Sequence, residues 1–241
     1  MFAFDTIVSQ AISRRFHRRV DDALLDRCAA ECGCVPIGRM CLLDDAAAAE
    51  VIRRTNIVTG KRVLDFGCGR GFLGRWLDAE QAATQYSAVD RIEGALEATR
   101  KHVPNGRTIF GDFRAVRWRP EFDGVVALEI ATGSAIDESV VEAAASALKR
   151  GGIFALTLAS LDGKHAVRIA ALSVAAEKRF RAVDVADWTQ RVAPFARRTY
   201  QWWLAAPWHC DIAQKCRLEA NAALDALERG TFHYAVLFAR R

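Results

Sequence analysis

The chain has no apolar run approaching the ~18 to 20 residues that a membrane-spanning helix needs. Its first ten residues include Asp5 and lead into no small-residue cleavage site, so no secretory leader is expected. The expectation is a cytoplasmic protein with no membrane partner. Internal repeats and low-complexity linkers are also missing, which argues against a second independent domain. Neither sign of charge dominates: 34 basic and 29 acidic residues are scattered, for a net charge of +5. The densest basic run is Arg14, Arg15, His17, Arg18 and Arg19, and no aromatics interleave it. It lies beside an apolar stripe of Ile7, Val8, Ala11, Ile12, Val20, Leu24 and Leu25, so it reads as a solvated helix face rather than a nucleic-acid surface. Seven cysteines is an odd count with no secretory context, which speaks against a disulfide framework. Cys32-Gly-Cys34, between Cys28 and Cys41, is too tight for zinc spacing and matches no iron–sulfur pattern. Free thiols and no metal are expected.

Hydrophobic residues make up 51% of the 241 positions, enough to bury a substantial core. Residues 1–58 read as an N-terminal helical cap, broken at Gly33 to Gly38. In it Asp44-Asp45 opens an alanine-rich helix through Arg54, since carboxylates suit a helix start. From 59 onward strands alternate with helices. Strands are expected at 61–66, 85–90, 108–111, 122–128, 153–158 and 232–239. Helices are expected at 71–81, 93–103, 139–149 and 212–229. That alternation predicts a parallel, doubly wound α/β sheet. The less regular stretch at about 160–210 reads as an inserted helical lid.

Val63-Leu64-Asp65-Phe66-Gly67-Cys68-Gly69-Arg70-Gly71 is the informative segment. A buried strand stopping at glycines lets a ligand approach the backbone, and the following helix turns its free N–H groups toward it. Gly69 to Gly74 formally matches the G-x-G-x-x-G dinucleotide fingerprint, with Asp90 downstream as a ribose-binding acid. Asp65 tips the balance. A carboxylate two residues before the first glycine gains nothing from a pyrophosphate, whereas it would gain from the ammonium of a methionine moiety.

With these residues in place, the sequence resembles the class I methyltransferase family, in its small-molecule branch, from about Thr59 to Leu158 and again at the last strand. The resemblance implies a mostly parallel seven-stranded sheet whose last strand is antiparallel. It implies S-adenosylmethionine as cofactor and S-adenosylhomocysteine as product. Asp65, Gly67, Cys68 and Gly69 would meet the methionine part, and Asp90 with Arg91 the ribose. Asp112 and Phe113 would meet the adenine. Phe122-Asp123-Gly124 through Glu129 matches the family's fourth strand, and Leu148-Lys149-Arg150-Gly151-Gly152 its helix-ending turn. Many relatives carry a histidine four residues after the glutamate, where this chain has Gly133. Glu129, which also belongs to the cofactor set, and His209 are then the candidate catalytic residues. Cys68 reads as a packing residue rather than a nucleophile, because nothing near it in sequence lowers its pKa.

Methyl transfer needs a base only where the acceptor is poorly ionised, so N-, O- and C-methylation all stay open. His165, Trp188, Tyr200, Trp202, Trp203 and Trp208 suit a flat or apolar small-molecule acceptor, such as one from secondary metabolism, although core packing explains most of them equally well. A homodimer is compatible with the sequence. Two other classes remain: an NAD(P)-dependent oxidoreductase using the same loop, and a non-catalytic S-adenosylmethionine-binding regulator.

Overall fold

The computed structural model describes residues 16–17, 19–57, 59–82, 84–130, 137–208 and 210–241. Seven strands form one sheet: β1 (Arg62–Phe66), β2 (Gln85–Asp90), β3 (Arg107–Phe110), β4 (Phe122–Ala127), β5 (Leu148–Ser160), β6 (Ala182–Asp187) and β7 (His233–Arg240). Their order is β3-β2-β1-β4-β5-β7-β6. The first five are parallel, and β7 runs antiparallel to both β5 and β6. Central β1 is covered on both faces, which is why it reads as a continuous apolar run. Val63 belongs to one core layer, Leu64 and Phe66 to the other. Strand order reverses between β1 and β4, so their carboxyl ends open the crevice where ligands bind in such sheets.

Eight helices are described: α1 (Asp22–Glu31), α2 (Asp45–Arg54), α3 (Phe72–Ala79), α4 (Glu93–His102), α5 (Ser139–Ala147), α6 (His165–Glu177), α7 (Thr189–Ala205) and α8 (Cys210–Arg229). As the paired aspartates predict, Asp44 caps α2 by accepting from the Ala47 N–H at 2.7 Å. Asp21 caps α1 through Ala23 N–H at 3.0 Å. No described helix is long and apolar enough to cross a membrane.

The 160–210 stretch does not form a single insertion over the sheet. α6 packs into the core layer of α5, and β6 adds an edge strand beside β7. Only α7 remains above the crevice. The repeated aspartates of Ala182-Val183-Asp184-Val185-Ala186-Asp187 hid this strand, which is largely exposed because it borders one neighbour alone. The Leu148 to Gly152 turn is also absorbed into a long β5, with a register shift opposite Phe122 and Gly124.

A third apolar cluster joins the cap to the helices above the crevice. Phe16, Leu25, Cys28 and Cys32 meet Phe195, Trp203, Trp208 and Cys216. The cysteines at 28, 32, 34, 41, 68 and 216 are free thiols, and all are buried. α3 lies close on the sheet because Gly74 has no side chain: a Cβ there would stand 2.8 Å from Val103 Cγ2 and 2.9 Å from Tyr86 Cε1. Gly74→Val should therefore cost about 2 to 3 kcal/mol through overpacking. It should appear as a lower thermal midpoint, and an unchanged midpoint would show that α3 is free to shift.

Candidate active site

The crevice is built from the exits of β1, β2 and β4. Beyond Phe66 the chain passes through Gly67 (φ 65°) and Gly69 (φ 55°), a left-handed path that any side chain would strain. Gly67 N–H donates to Val89 O at 2.8 Å and Gly69 N–H to Asp90 Oδ2 at 3.0 Å, so the loop is laid across the end of β2. Asp90 Oδ1 accepts from Ile92 N–H at 2.9 Å. Burial raises the pKa of this carboxyl, and the two backbone donors work against that. A carboxylate has about four acceptor positions, so two such bonds leave room for a pair of hydroxyl donors. Arg91 is exposed beside it and favours the ionised form.

Asp65 lies buried behind the loop. Among the described residues its one hydrogen bond comes from the Tyr86 hydroxyl, at 2.7 Å. Burial raises its pKa to about 7, opposed by Tyr86 and reinforced by Asp90. A buried carboxyl so short of donors is a place that favours a cation. Cys68 turns inward to Thr99, with Sγ 3.5 Å from Oγ1, and burial pushes its thiol well above the ordinary value.

Asp112 and Phe113 follow β3, and both are anchored within the protein. Arg114 donates to Asp112 through its backbone N–H at 3.0 Å and its guanidinium at 2.9 and 2.5 Å. This holds the carboxyl below the usual carboxylate range. The Phe113 ring stacks on Phe66 at 4.6 Å and 11°, so one of its faces is already covered.

Glu129 stands at the exit of β4 with φ 49°, and its N–H donates to Thr157 Oγ1 at 2.9 Å. Its Oε1 accepts from Leu42 N–H at 2.7 Å and the Tyr234 hydroxyl at 2.8 Å. Burial raises its pKa to about 7, against those two bonds and the attraction of Arg39. The carboxyl borders a cavity of about 40 Å³ between cap and α7, lined also by Arg39, Cys41, Thr199, Tyr200 and Trp203. Thr199 Oγ1 and Arg39 Nε are buried there without hydrogen-bond partners among the described residues. The Arg39 guanidinium pairs with Asp45 and lies over the Phe72 ring at 4.7 Å.

The structure thus gathers Asp65, the glycine loop, Asp90 and Glu129 around one crevice. Of the aromatics, Tyr200 and Trp203 line the cavity. Trp188 and Trp208 are core, Trp202 bonds Glu31, and His165 stacks on His233 at 5.3 Å. His209 and Gly133 lie outside the described residues. Sequence reasoning missed Tyr234, Arg39 and Thr199. None belongs to a local motif, and Tyr234 meets Glu129 across 105 positions.

Residues 63–152 match the family model of a methyltransferase domain. That match runs from β1 into β5. Among curated proteins, the ubiquinone biosynthesis O-methyltransferase of Idiomarina loihiensis is 37% identical over 113 residues, 43% of this chain and 45% of that enzyme. The protein of the same description from Neisseria meningitidis serogroup C is 26% identical over 187 residues, 74% of this chain and 69% of its own length. The matched region thus spans under half of the first relative and about two thirds of the second. Among solved structures, the geranyl diphosphate C-methyltransferase of Streptomyces coelicolor superposes with a TM-score of 0.65 over 96% of this chain and 97% of its own. At 12% identity that likeness is one of fold. Class I methyltransferases use S-adenosylmethionine, and the residues of this crevice fit it. Gly67 and Gly69 leave the left-handed loop backbone bare of side chains, Asp65 favours a cation, and Asp90 has acceptor capacity left.

The raised pKa of Glu129 carries a consequence for stability. The folded carboxyl binds its proton more tightly than the unfolded one, so its contribution is full at low pH and is lost as pH rises from about 4.5 to about 7. His17, lowered to about 4, acts in the opposite sense, so a variant comparison isolates Glu129. The thermal midpoint of Glu129→Gln minus that of the wild type should grow as pH rises from ~5 to ~7.5. A difference independent of pH would mean that Glu129 titrates at its ordinary value.

Proposed function

We propose that this chain transfers a methyl group from S-adenosylmethionine to a hydroxyl oxygen of a small, flat acceptor, with Glu129 as general base. The observation that carries the reading is the Glu129 carboxyl, enclosed at the crevice, with a pKa near 7 and one oxygen held by Leu42 and Tyr234. Oxygen rather than nitrogen or carbon is favoured because a hydroxyl needs its proton removed, and a base is most effective with a pKa near the working pH. The curated relatives are themselves named O-methyltransferases, which supports the same choice.

When bound, S-adenosylmethionine supplies a methyl group activated by a sulfonium. Asp65, Gly67, Gly69 and the backbone at Cys68 would hold its amino-acid end, Asp90 and Arg91 its ribose, and Asp112 and Phe113 its adenine. Oε1 of Glu129 is fixed by its two donors, so Oε2 is the atom that takes the acceptor's proton. Tyr200 and Trp203 offer the flat walls, and Thr199 and Arg39 bring unsatisfied donors. A volume of about 40 Å³ holds water-sized groups only. A ring-sized acceptor therefore enters as cap and α7 part, and their return excludes water.

Calorimetric titration tests the cofactor. S-adenosylmethionine and S-adenosylhomocysteine should bind at micromolar Kd, and Asp65→Ala and Asp90→Ala should each weaken binding by about tenfold or more. Binding of NADH alone would overturn the reading in favour of an oxidoreductase.

The base is tested by following S-adenosylhomocysteine release with a panel of phenols, catechols and alcohols. Glu129→Gln should lower kcat by about 10²- to 10⁴-fold while leaving the Kd for S-adenosylhomocysteine within about threefold. Equal loss of turnover and affinity would place Glu129 on the cofactor instead.

A further inference from the structure

Among the described residues, the imidazole of His17 is a cap side chain set against the glycine loop with its own hydrogen-bonding needs unmet. Its Cε1 stands 3.9 Å from where a Cβ on Gly69 would be. Cε1 lies between the two ring nitrogens, so the nitrogen-bearing edge of the ring faces the loop. Nδ1 is buried and, among the described residues, has no hydrogen-bond partner. A buried polar atom left without a partner is unfavourable, and in native structures such atoms often await a ligand.

The segment that carries the ring is tied to the loop and to the cap. Arg70, in the glycine loop, donates from Nη1 to His17 O at 2.8 Å and from Nε and Nη2 to Asp22 Oδ1 at 3.1 and 2.5 Å. Asp22 Oδ2 also meets His102 Nε2 at 2.8 Å and Lys101 Nζ at 3.3 Å, at the end of α4. The neighbouring Phe16 ring meets His17 edge-on at 5.7 Å, packs on Trp203 and Trp208, and has Lys215 Nζ over it at 5.1 Å. The backbone of His17 is thus held against the glycine loop.

We propose that His17 is a cofactor-binding residue that accepts a hydrogen bond from the ammonium at the amino-acid end of S-adenosylmethionine, so that docking of the cap and retention of the cofactor are one event. This rests on the cofactor reading above. The chemistry of the surroundings selects an ammonium over a carboxylate. Burial first, then Arg70 and Lys215, lower the imidazole's pKa to about 4 and keep it neutral. A neutral imidazole has one acceptor nitrogen, and a protonated ring would repel an ammonium. Asp65, behind the same loop, supplies the negative charge that such a cation needs. Arg70, the cation a carboxylate would seek, is already committed to Asp22 and His17 O.

The test compares two probes that share an adenosine thioether and differ in the amino-acid end: S-adenosylhomocysteine, which has it, and 5′-methylthioadenosine, which lacks it. Calorimetry on the full chain should show His17→Phe weakening S-adenosylhomocysteine by about tenfold or more, with 5′-methylthioadenosine unchanged within about twofold. His17→Gln keeps an acceptor and should recover part of the loss. Asp22→Asn loosens the seat of His17 and should give a loss of the same selectivity. Equal weakening of both probes would overturn the proposal, because the ring would then only support the loop, and so would no weakening of either. Failure of the wild type to bind S-adenosylhomocysteine would sink the cofactor reading and this inference together, whereas tight wild-type binding with an unselective His17→Phe sinks the inference alone.

Discussion

The ion pair between Arg70 and Asp22 joins the two parts of the molecule on which everything at the crevice depends. Arg70 belongs to the loop that leaves β1, and Asp22 begins the first helix of the cap. Their side chains are 7% and 18% exposed, so the pair is largely shielded from water and its loss would strand a buried charge. Removing one partner of such a pair typically costs about 3 to 5 kcal/mol. Desolvation alone would raise the Asp22 pKa, yet hydrogen bonds from Arg70 and His102 hold it at about 2. The aspartate therefore stays ionised throughout the ordinary pH range. Through it the cap is fastened to the glycine loop and to the end of α4, the two elements that frame the nucleotide side of the crevice.

Four of the carboxyls around that crevice sort by the donors they have. Asp22 and Asp112 each face guanidinium groups and lie below the usual range. Asp65 and Glu129 are enclosed with neutral donors and rise to about 7. Asp22, bonded on both oxygens to the loop and to α4, holds structure together, whereas Asp112 is engaged, among the described residues, by Arg114 alone and keeps acceptor capacity on its outer side. The second pair is free to act: one carboxyl short of a cation, the other able to exchange a proton near neutrality. Buried titratable groups whose environments push them away from ordinary values are where chemistry is expected.

What could be read from the sequence was local. Asp65, Gly67, Gly69 and Asp90 lie in two short segments with a strand–loop–helix signature, so their neighbourhood follows from chain connectivity alone. The cap of α2 at Asp44 is equally local. The unread parts are contacts between distant positions: Arg70 with Asp22, His17 with Gly69, Tyr234 with Glu129. No periodicity reports that the cap folds back over the loop, and the basic run around His17 gave no sign that its histidine turns inward. Strand β6 escaped notice because it is short, mostly exposed and interrupted by aspartates. Its pairing partner, β7, lies about 50 residues further along the chain.

Glu129 shows how the backbone itself serves the site. Among the described residues, three outside glycine have positive φ: Asn56, Gln81 and Glu129. The first two end helices, where a left-handed turn is common. Glu129 instead follows a buried central strand, where such a conformation costs on the order of 1 to 3 kcal/mol and persists only if its surroundings fix it. Three bonds do so: its N–H to Thr157, and its carboxyl to Leu42 and Tyr234. They come from β5, from the cap and from β7, so the strained residue is held by three separate parts of the fold. An extended residue here would continue the alternation of β4 and send its side chain into a core layer. The left-handed turn delivers the carboxyl to the space between cap and α7, which is the geometry an acceptor-facing base requires.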